Sequence, residues 1–205
     1  INECAKGNIW GGAIDIYKTE NNHGLLLTTS DVLRSRDEDT SIARDDRAQD
    51  DNSLYNKILF FNFDTNQLKI FSKGHRNPGS IFIDKNIIIS TEHGPRGGDE
   101  INLIKKNGNY GWPISSYGDL YFSKKTNPYY KKDHKKYGFI EPIYSFVPSI
   151  GISCIIKVPD GFDEYWQDNY LIASLYGNSI YRVKLDNKYS KILFSEKIFI
   201  GERIR

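Results

Sequence analysis

The residues able to do chemistry concentrate between Gly74 and Pro113. Gly74-His75-Arg76-Asn77-Pro78-Gly79 is followed by an apolar run, then by Ser90-Thr91-Glu92-His93-Gly94-Pro95-Arg96-Gly97-Gly98-Asp99-Glu100-Ile101-Asn102. Asn109-Tyr110-Gly111-Trp112-Pro113 comes shortly after. Glycines let backbone carbonyls approach a hard cation, and Asp99 or Glu100 can add carboxylate oxygens of the kind calcium prefers. Arg76, Arg96 and Asn77 supply guanidinium forks and an amide, donors suited to a ligand that carries carboxylates. The same composition also describes a Gly-rich turn whose Asp and Arg side chains pair with one another. His75 and His93 are read first as hydrogen-bonded loop residues, ahead of bases or ligands. No GxSxG nucleophile motif accompanies the serines or cysteines. Cys4 and Cys154 lie far apart with no CxxC spacing, so they mark no zinc site and fix neither a pairing nor a compartment.

The elements that must position these loops read as strands. Gly24–Thr29, Lys57–Phe63, Gln67–Ser72, Ser80–Ile83, Ile87–Thr91 and Ile101–Ile104 are short runs rich in Ile, Leu and Phe, bounded by Asn, Asp and Gly. Ile152–Val158, Tyr170–Leu175, Ser179–Leu185 and Lys191–Ile200 follow the same style. Asp64-Thr65-Asn66, Asp84-Lys85-Asn86 and Asp186-Asn187 carry the turn chemistry that reverses a chain between strands. No segment holds a 3.6-residue apolar period long enough to outvote this pattern. The fold class is therefore all-β, in antiparallel meanders. Consecutive strands group into three bundles of four, about 12–72, 79–145 and 152–200, near or above the ~40–50 residues of a propeller blade. Strand spacing alone also admits a sandwich. Two connections, 30–56 and 114–139, read as surface insertions.

Composition narrows the function classes. The 205 residues are 39% hydrophobic and 26% charged, with 28 basic side chains against 26 acidic ones. Such near balance excludes a global pull toward nucleic acid or membrane. Charge is nonetheless segregated: Arg34–Asp51 holds seven acids and four arginines, and Lys124–Lys136 holds six lysines. The lysine run, interleaved with Tyr129 and Tyr130, is read as a solvated loop and not as a nucleic-acid surface. No apolar stretch approaches the ~20 residues of a membrane span. No secretory signal opens the chain and Met is absent, so a processed product or part of a longer reading frame is expected.

The segments GHRNP, STEHGPRGGDEIN and NYGWP, in this order and spacing, resemble the quinoprotein glucose/sorbosone (aldose sugar) dehydrogenase family. The resemblance extends to Ala48-Gln49-Asp50 and Lys57-Ile58-Leu59 upstream and to Pro148-Ser149-Ile150-Gly151 and Gly201-Glu202-Arg203-Ile204-Arg205 downstream. It implies a six-bladed β-propeller using pyrroloquinoline quinone (PQQ) and calcium (Ca2+). About three blades would lie in residues 1–205, half a ring cut at both ends, and an open ring exposes sheet edges that closure would cover. It implies that Arg76, Asn77, Tyr144, Gly151, Arg203 and Arg205 contact the cofactor. The carbonyls of Gly94 and Pro95 would bind its calcium, and Asp99, with Ser149, would serve a neighbouring structural calcium. Asp31 matches the acid that orients the family's catalytic histidine. A sugar substrate, an electron acceptor and a periplasmic or secreted location are implied as well.

The chain departs from the family pattern at the base. Ile9 stands where the family's general-base His precedes a Gly-Gly step, and neither Ile nor Gly can take a hydroxyl proton. Gly79 replaces a Gln, Tyr176 a Lys and Val147 an aromatic; His23 and His93 are the histidines left to stand in for the base. Two functions follow. One is calcium- and PQQ-dependent oxidation of an aldose or related alcohol to a lactone or carbonyl product. The other is a non-catalytic calcium-binding propeller that serves as a carbohydrate- or protein-binding module, since a fold alone does not choose between them. A calcium-dependent lactonase would need a carboxylate cluster that the sequence does not display.

Overall fold

The computed structural model describes residues 11–31, 46–119 and 130–204. Ile9, Arg205, Cys4 and much of both long connections, including Lys124 and Tyr129, lie outside the described residues.

Thirteen strands form three sheets among these residues. The first sheet is an antiparallel meander of β1 (Ile14–Thr19), β2 (Asn22–Thr28), β3 (Lys57–Asn62) and β4 (Gln67–Lys73). The second runs β5 (Pro78–Asp84), β6 (Ile87–Glu92) and β7 (Asp99–Leu103). A two-residue strand, β8 (Gly108–Asn109), then leaves to pair in parallel with β4 of the first sheet, and β9 (Tyr144–Phe146) returns to pair with β7. The third is β10 (Ile152–Lys157), β11 (Asn169–Ser174), β12 (Ser179–Leu185) and β13 (Ile192–Phe199).

Local chemistry sets the reversals. In the β3–β4 hairpin the Asn62 side chain accepts from the amides of Asp64 and Thr65 at 2.9 and 2.8 Å, and Asn66 adopts φ 55°. Asn tolerates that left-handed conformation better than other non-glycine residues.

The sheets pack face to face, so the middle one is buried on both sides, and a strand buried on both faces loses its polar alternation. The Ile87-Ile88-Ile89 run shows this. Ile88 joins Leu26, Ile58, Phe60 and Phe71 in the core against the first sheet, while Ile89 joins Ile155, Ile172 and Val183 in the core against the third. β5 packs against β1 and β2 on one side and β10 on the other. This serial stacking of four-stranded antiparallel sheets is a propeller arrangement and not a sandwich. The end sheets keep an open apolar face, with Ile14 and Ile16 exposed on β1 and Ile156 on β10.

The strand-rich reading of the sequence omitted β1, β8 and β9. Ile14-Asp15-Ile16-Tyr17-Lys18-Thr19 alternates with polar residues, β8 has two residues and β9 three, so none forms an apolar run.

Candidate active site

The connection from β4 to β5 carries Arg76 and Asn77, and it is held from below by a buried polar network. The His75 ring is fully buried and stacks on Tyr110 with centroids 4.6 Å apart. Its Nδ1 lies 2.6 Å from Glu92 Oε1, and its Nε2 lies 2.8 Å from Ser72 Oγ. Glu92 closes β6 and turns its other oxygen to the Arg76 amide, which donates at 3.0 Å. The Arg76 carbonyl accepts from the Asp31 amide at 2.8 Å, so the segment after β2 is tied to the same connection.

The Arg76 guanidinium reaches the loop after β6. Its Nη1 donates to the carbonyls of His93 and Gly94, both at 2.8 Å, and its Cζ lies 5.5 Å from the Trp112 ring centroid. Arg76 Nε and Asn77 Oδ1 are buried without a partner in the protein. Buried polar atoms are ordinarily paired, so these two mark a place where a polar ligand or water belongs. The cavity beside Arg76 measures about 20 Å3, room for one water, and Glu92, Glu100, Trp112 and His134 share its lining.

Asp99 braces the Gly94–Gly98 loop. It is buried, and its two oxygens accept four hydrogen bonds: from Gly94 N (3.0 Å), Ser149 Oγ (2.9 Å), Ile150 N (3.1 Å) and Ile152 N (2.9 Å). With those lone pairs taken, a cation reaches Asp99 only by displacing donors. The Gly94 carbonyl already accepts from the Arg76 guanidinium, so a cation at that oxygen would have to displace a positive neighbour. Among the described residues no group of three or more His, Cys, Asp or Glu side chains is arranged to hold a metal.

A second titratable cluster lies beneath. Burial and then the neighbouring Glu92 carboxylate push Glu100 up to about 8, so it carries a proton at neutral pH. Asn102 Nδ2 bridges the two acids, donating to Glu92 at 3.0 Å and to Glu100 at 3.2 Å. His134 is buried 3.8 Å from Glu100, and burial lowers its pKa and keeps it neutral.

The expected site residues fall in three groups. Asp31, Arg76, Asn77, Gly94, Pro95 and Asp99 converge on the one sheet edge just described. Gly151 sits in the turn that Asp99 clamps, with φ 65°. Tyr144 is 44% exposed on β9, edge-on to Phe146, and does not line the Arg76 cavity. Arg203 is exposed beyond β13, and Arg205 lies outside the described residues. Gly79, Val147 and Tyr176, the replaced positions, are all exposed.

Of the four histidines, His75 and His134 are buried in the networks above. His23 sits at the start of β2 against Phe63, five residues and ~16 Å from the β2 end that meets the site. His93 lines the same cavity as His134 but with a partly open ring, its pKa lowered chiefly by burial.

Sequence reasoning passed over Glu92, Ser72 and the Gln49–Asn109 pair. Gln49 and Asn109 exchange amide hydrogen bonds of 3.1 and 2.7 Å, and Gln49 also donates to the Trp112 carbonyl at 2.6 Å, stapling NYGWP to the connection between β2 and β3. A carboxylate closing a strand inside a Gly-rich motif was the available signal for Glu92.

The comparisons agree with this geometry. Residues 7–205 match the family model described as Glucose / Sorbosone dehydrogenase. The aldose sugar dehydrogenase YliI of Escherichia coli K12 is 30% identical over 141 residues, 67% of this chain and 37% of that protein. The crystal structure of the soluble aldose sugar dehydrogenase from Escherichia coli in its apo-form superposes over the whole chain and 59% of its own, with TM-score 0.78 and 24% identity. The PQQ-bound aldose sugar dehydrogenase of Streptomyces coelicolor covers 89% of this chain and 48% of its own, with TM-score 0.60 and 23% identity. The chain thus spans little more than a third of the curated relative and about half to three fifths of the solved structures. With a model match over nearly its full length and the family's motif residues gathered at one sheet edge, the chain belongs to the glucose/sorbosone dehydrogenase family.

Proposed function

We propose that this protein oxidises an aldose sugar or related alcohol with PQQ and calcium. One observation carries the reading. Arg76 is pinned through one nitrogen to the Gly94 loop, and its buried Nε, a donor, has no partner in the protein. That is a polar, cationic seat suited to a carboxylate-bearing cofactor. In the relative from Streptomyces coelicolor the bound cofactor is PQQ.

Arg76 and Asn77 would hold the quinone's carboxylates, joined by Tyr144, Gly151, Arg203 and Arg205. The Gly94 and Pro95 carbonyls would hold calcium, Gly94 giving up its hydrogen bond from Arg76, with Asp99 keeping that loop in shape. When bound, PQQ would supply two-electron, hydride-accepting chemistry, with an external acceptor needed to reoxidise it. The chain must take the hydroxyl proton. His93 borders the cavity beside Arg76, and a pKa lowered chiefly by burial favours a neutral, proton-accepting ring at neutral pH. A periplasmic or secreted location belongs to the same reading.

Equilibrium titration of PQQ into the full-length protein, with and without calcium, tests it. Calcium-dependent binding that Arg76→Ala weakens, together with turnover of an aldose panel by an artificial electron acceptor, is expected. Absence of binding at saturating PQQ overturns the reading. Binding without turnover across the panel identifies a binding module instead.

A further inference from the structure

The geometry points to Glu92, backed by His75, as the residue that positions Arg76 for its anionic ligand, an inference that rests on the cofactor-binding reading of Arg76.

Arg76 is held at both ends by one short segment. Glu92 Oε2 takes its backbone amide, and the carbonyls of the next two residues, His93 and Gly94, take its guanidinium. Backbone and side chain are thus referenced to the same three residues, so a shift of Glu92 carries the guanidinium with it. Glu92 is itself fixed from the opposite side. His75 Nδ1 and Asn102 Nδ2 both lie on Oε1, at 2.6 and 3.0 Å, and Ser72 and the Tyr110 face hold the His75 ring. Each of these groups is buried, and Arg76 itself is only 8% exposed. His75 and Arg76 are chain neighbours, so the carboxylate spans consecutive residues, His75 through its ring and Arg76 through its amide. That bridge locks the local backbone where Arg76 leaves it. A ligand carboxylate arriving at a guanidinium already oriented costs less ordering than one arriving at a free arginine. Glu92 touches no ligand in this account and is a positioning residue.

Three variants of the full-length protein test the assignment: Glu92→Gln, Glu92→Ala and His75→Phe. Gln keeps an oxygen for the Arg76 amide, Ala removes it, and Phe keeps the stack on Tyr110 while deleting the bond to Glu92. Two quantities are read on each, PQQ affinity in calcium and the exchange protection of the Arg76 amide, with thermal unfolding as the folding control. Glu92→Gln should stay within about threefold of wild-type affinity, while Glu92→Ala and His75→Phe should weaken it about tenfold or more and release the Arg76 amide. Folded Glu92→Ala with wild-type affinity and unchanged Arg76 protection overturns the assignment. If Glu92→Ala does not fold, the contrast between the other two decides, and equal affinities for Glu92→Gln and His75→Phe overturn it. If the wild type binds no PQQ, the cofactor reading fails by itself. Arg76 protection then decides alone: loss in Glu92→Ala and retention in Glu92→Gln support positioning, and no loss refutes it.

Discussion

Glu92 and Glu100 are register partners on adjacent antiparallel strands, so two carboxylates face one another across the β6–β7 ladder inside a buried site. Like charges directly opposite in a sheet repel, and here the repulsion is met by one shared donor, Asn102, and by a proton on Glu100.

That proton makes stability depend on pH. The folded-state pKa of Glu100, about 8, lies above the ordinary value near 4.5. Its contribution is therefore full below pH ~4.5 and lost as pH rises through about 8. Gln does not titrate, so in chelator-containing buffer Glu100→Gln should gain on the wild type as pH rises. The gain should be small at pH 5 and on the order of a few kcal/mol at pH 8 to 9, read as several degrees of Tm. Parallel Tm curves for the two proteins between pH 5 and 9 would show that Glu100 titrates normally.

Asp99 joins the Gly94 loop to the Ser149–Ile152 turn. Four donors converge on it, and removing the acceptor leaves buried N–H groups unsatisfied. Asp99→Ala should cost at least about 3 kcal/mol in denaturant unfolding, against about 1 kcal/mol for Ser149→Ala, which deletes one donor. PQQ affinity should fall in Asp99→Ala as well, because the Gly94 carbonyl loses its brace. Similar costs for the two variants would count against the brace.

The strand-rich segments were legible because Ile, Leu and Phe cluster between Asn, Asp and Gly turns, and the motif residues Arg76, Asn77 and Gly94 were legible because their spacing is distinctive. Glu92 was hidden in plain view. Its role depends on which strand end it closes and on His75 and Arg76 lying opposite, relations that exist only after β4, β5 and β6 have paired. β8 escaped for a related reason, since two residues carry no period, and Asn109 is held beside β4 by Gln49 from the connection between β2 and β3. Asp99 read as a metal ligand by residue type, and only the folded turn reveals the backbone amides that occupy it.

Gly98 carries both of the constraints that select glycine. Its φ is 71°, and a Cβ there would press into the Gly118 amide, which is backbone and unable to swing away. Gly138 has a similar φ of 82° with open space around it. Gly138→Ala should therefore cost only the left-handed strain, about 1–2 kcal/mol, and Gly98→Ala clearly more, with loss of soluble protein as the extreme. Equal destabilisation of the two would mean that conformation alone, and not close packing of the Gly94 loop on Gly118, keeps glycine at 98.

The β12–β13 hairpin offers a surface case of the same physics with the opposite sign. Asp186 accepts from the Ser190 amide and hydroxyl at 2.6 and 2.7 Å and from the Lys191 amide at 3.1 Å, while Tyr189 turns the chain at φ 54°. The Ser190 hydrogen bonds hold its carboxyl below the usual aspartate value. A depressed folded-state pKa means the contribution is present above pH ~4 and lost as pH falls through the folded value. Protection of the Ser190 and Lys191 amides against hydrogen exchange should therefore drop as the solution is acidified through that range, while Val183, at the core of the same sheet, keeps its own. Asp186→Ala should show the loosened turn already at pH 7. Unchanged protection in that variant would leave the reversal to the backbone of Tyr189 alone.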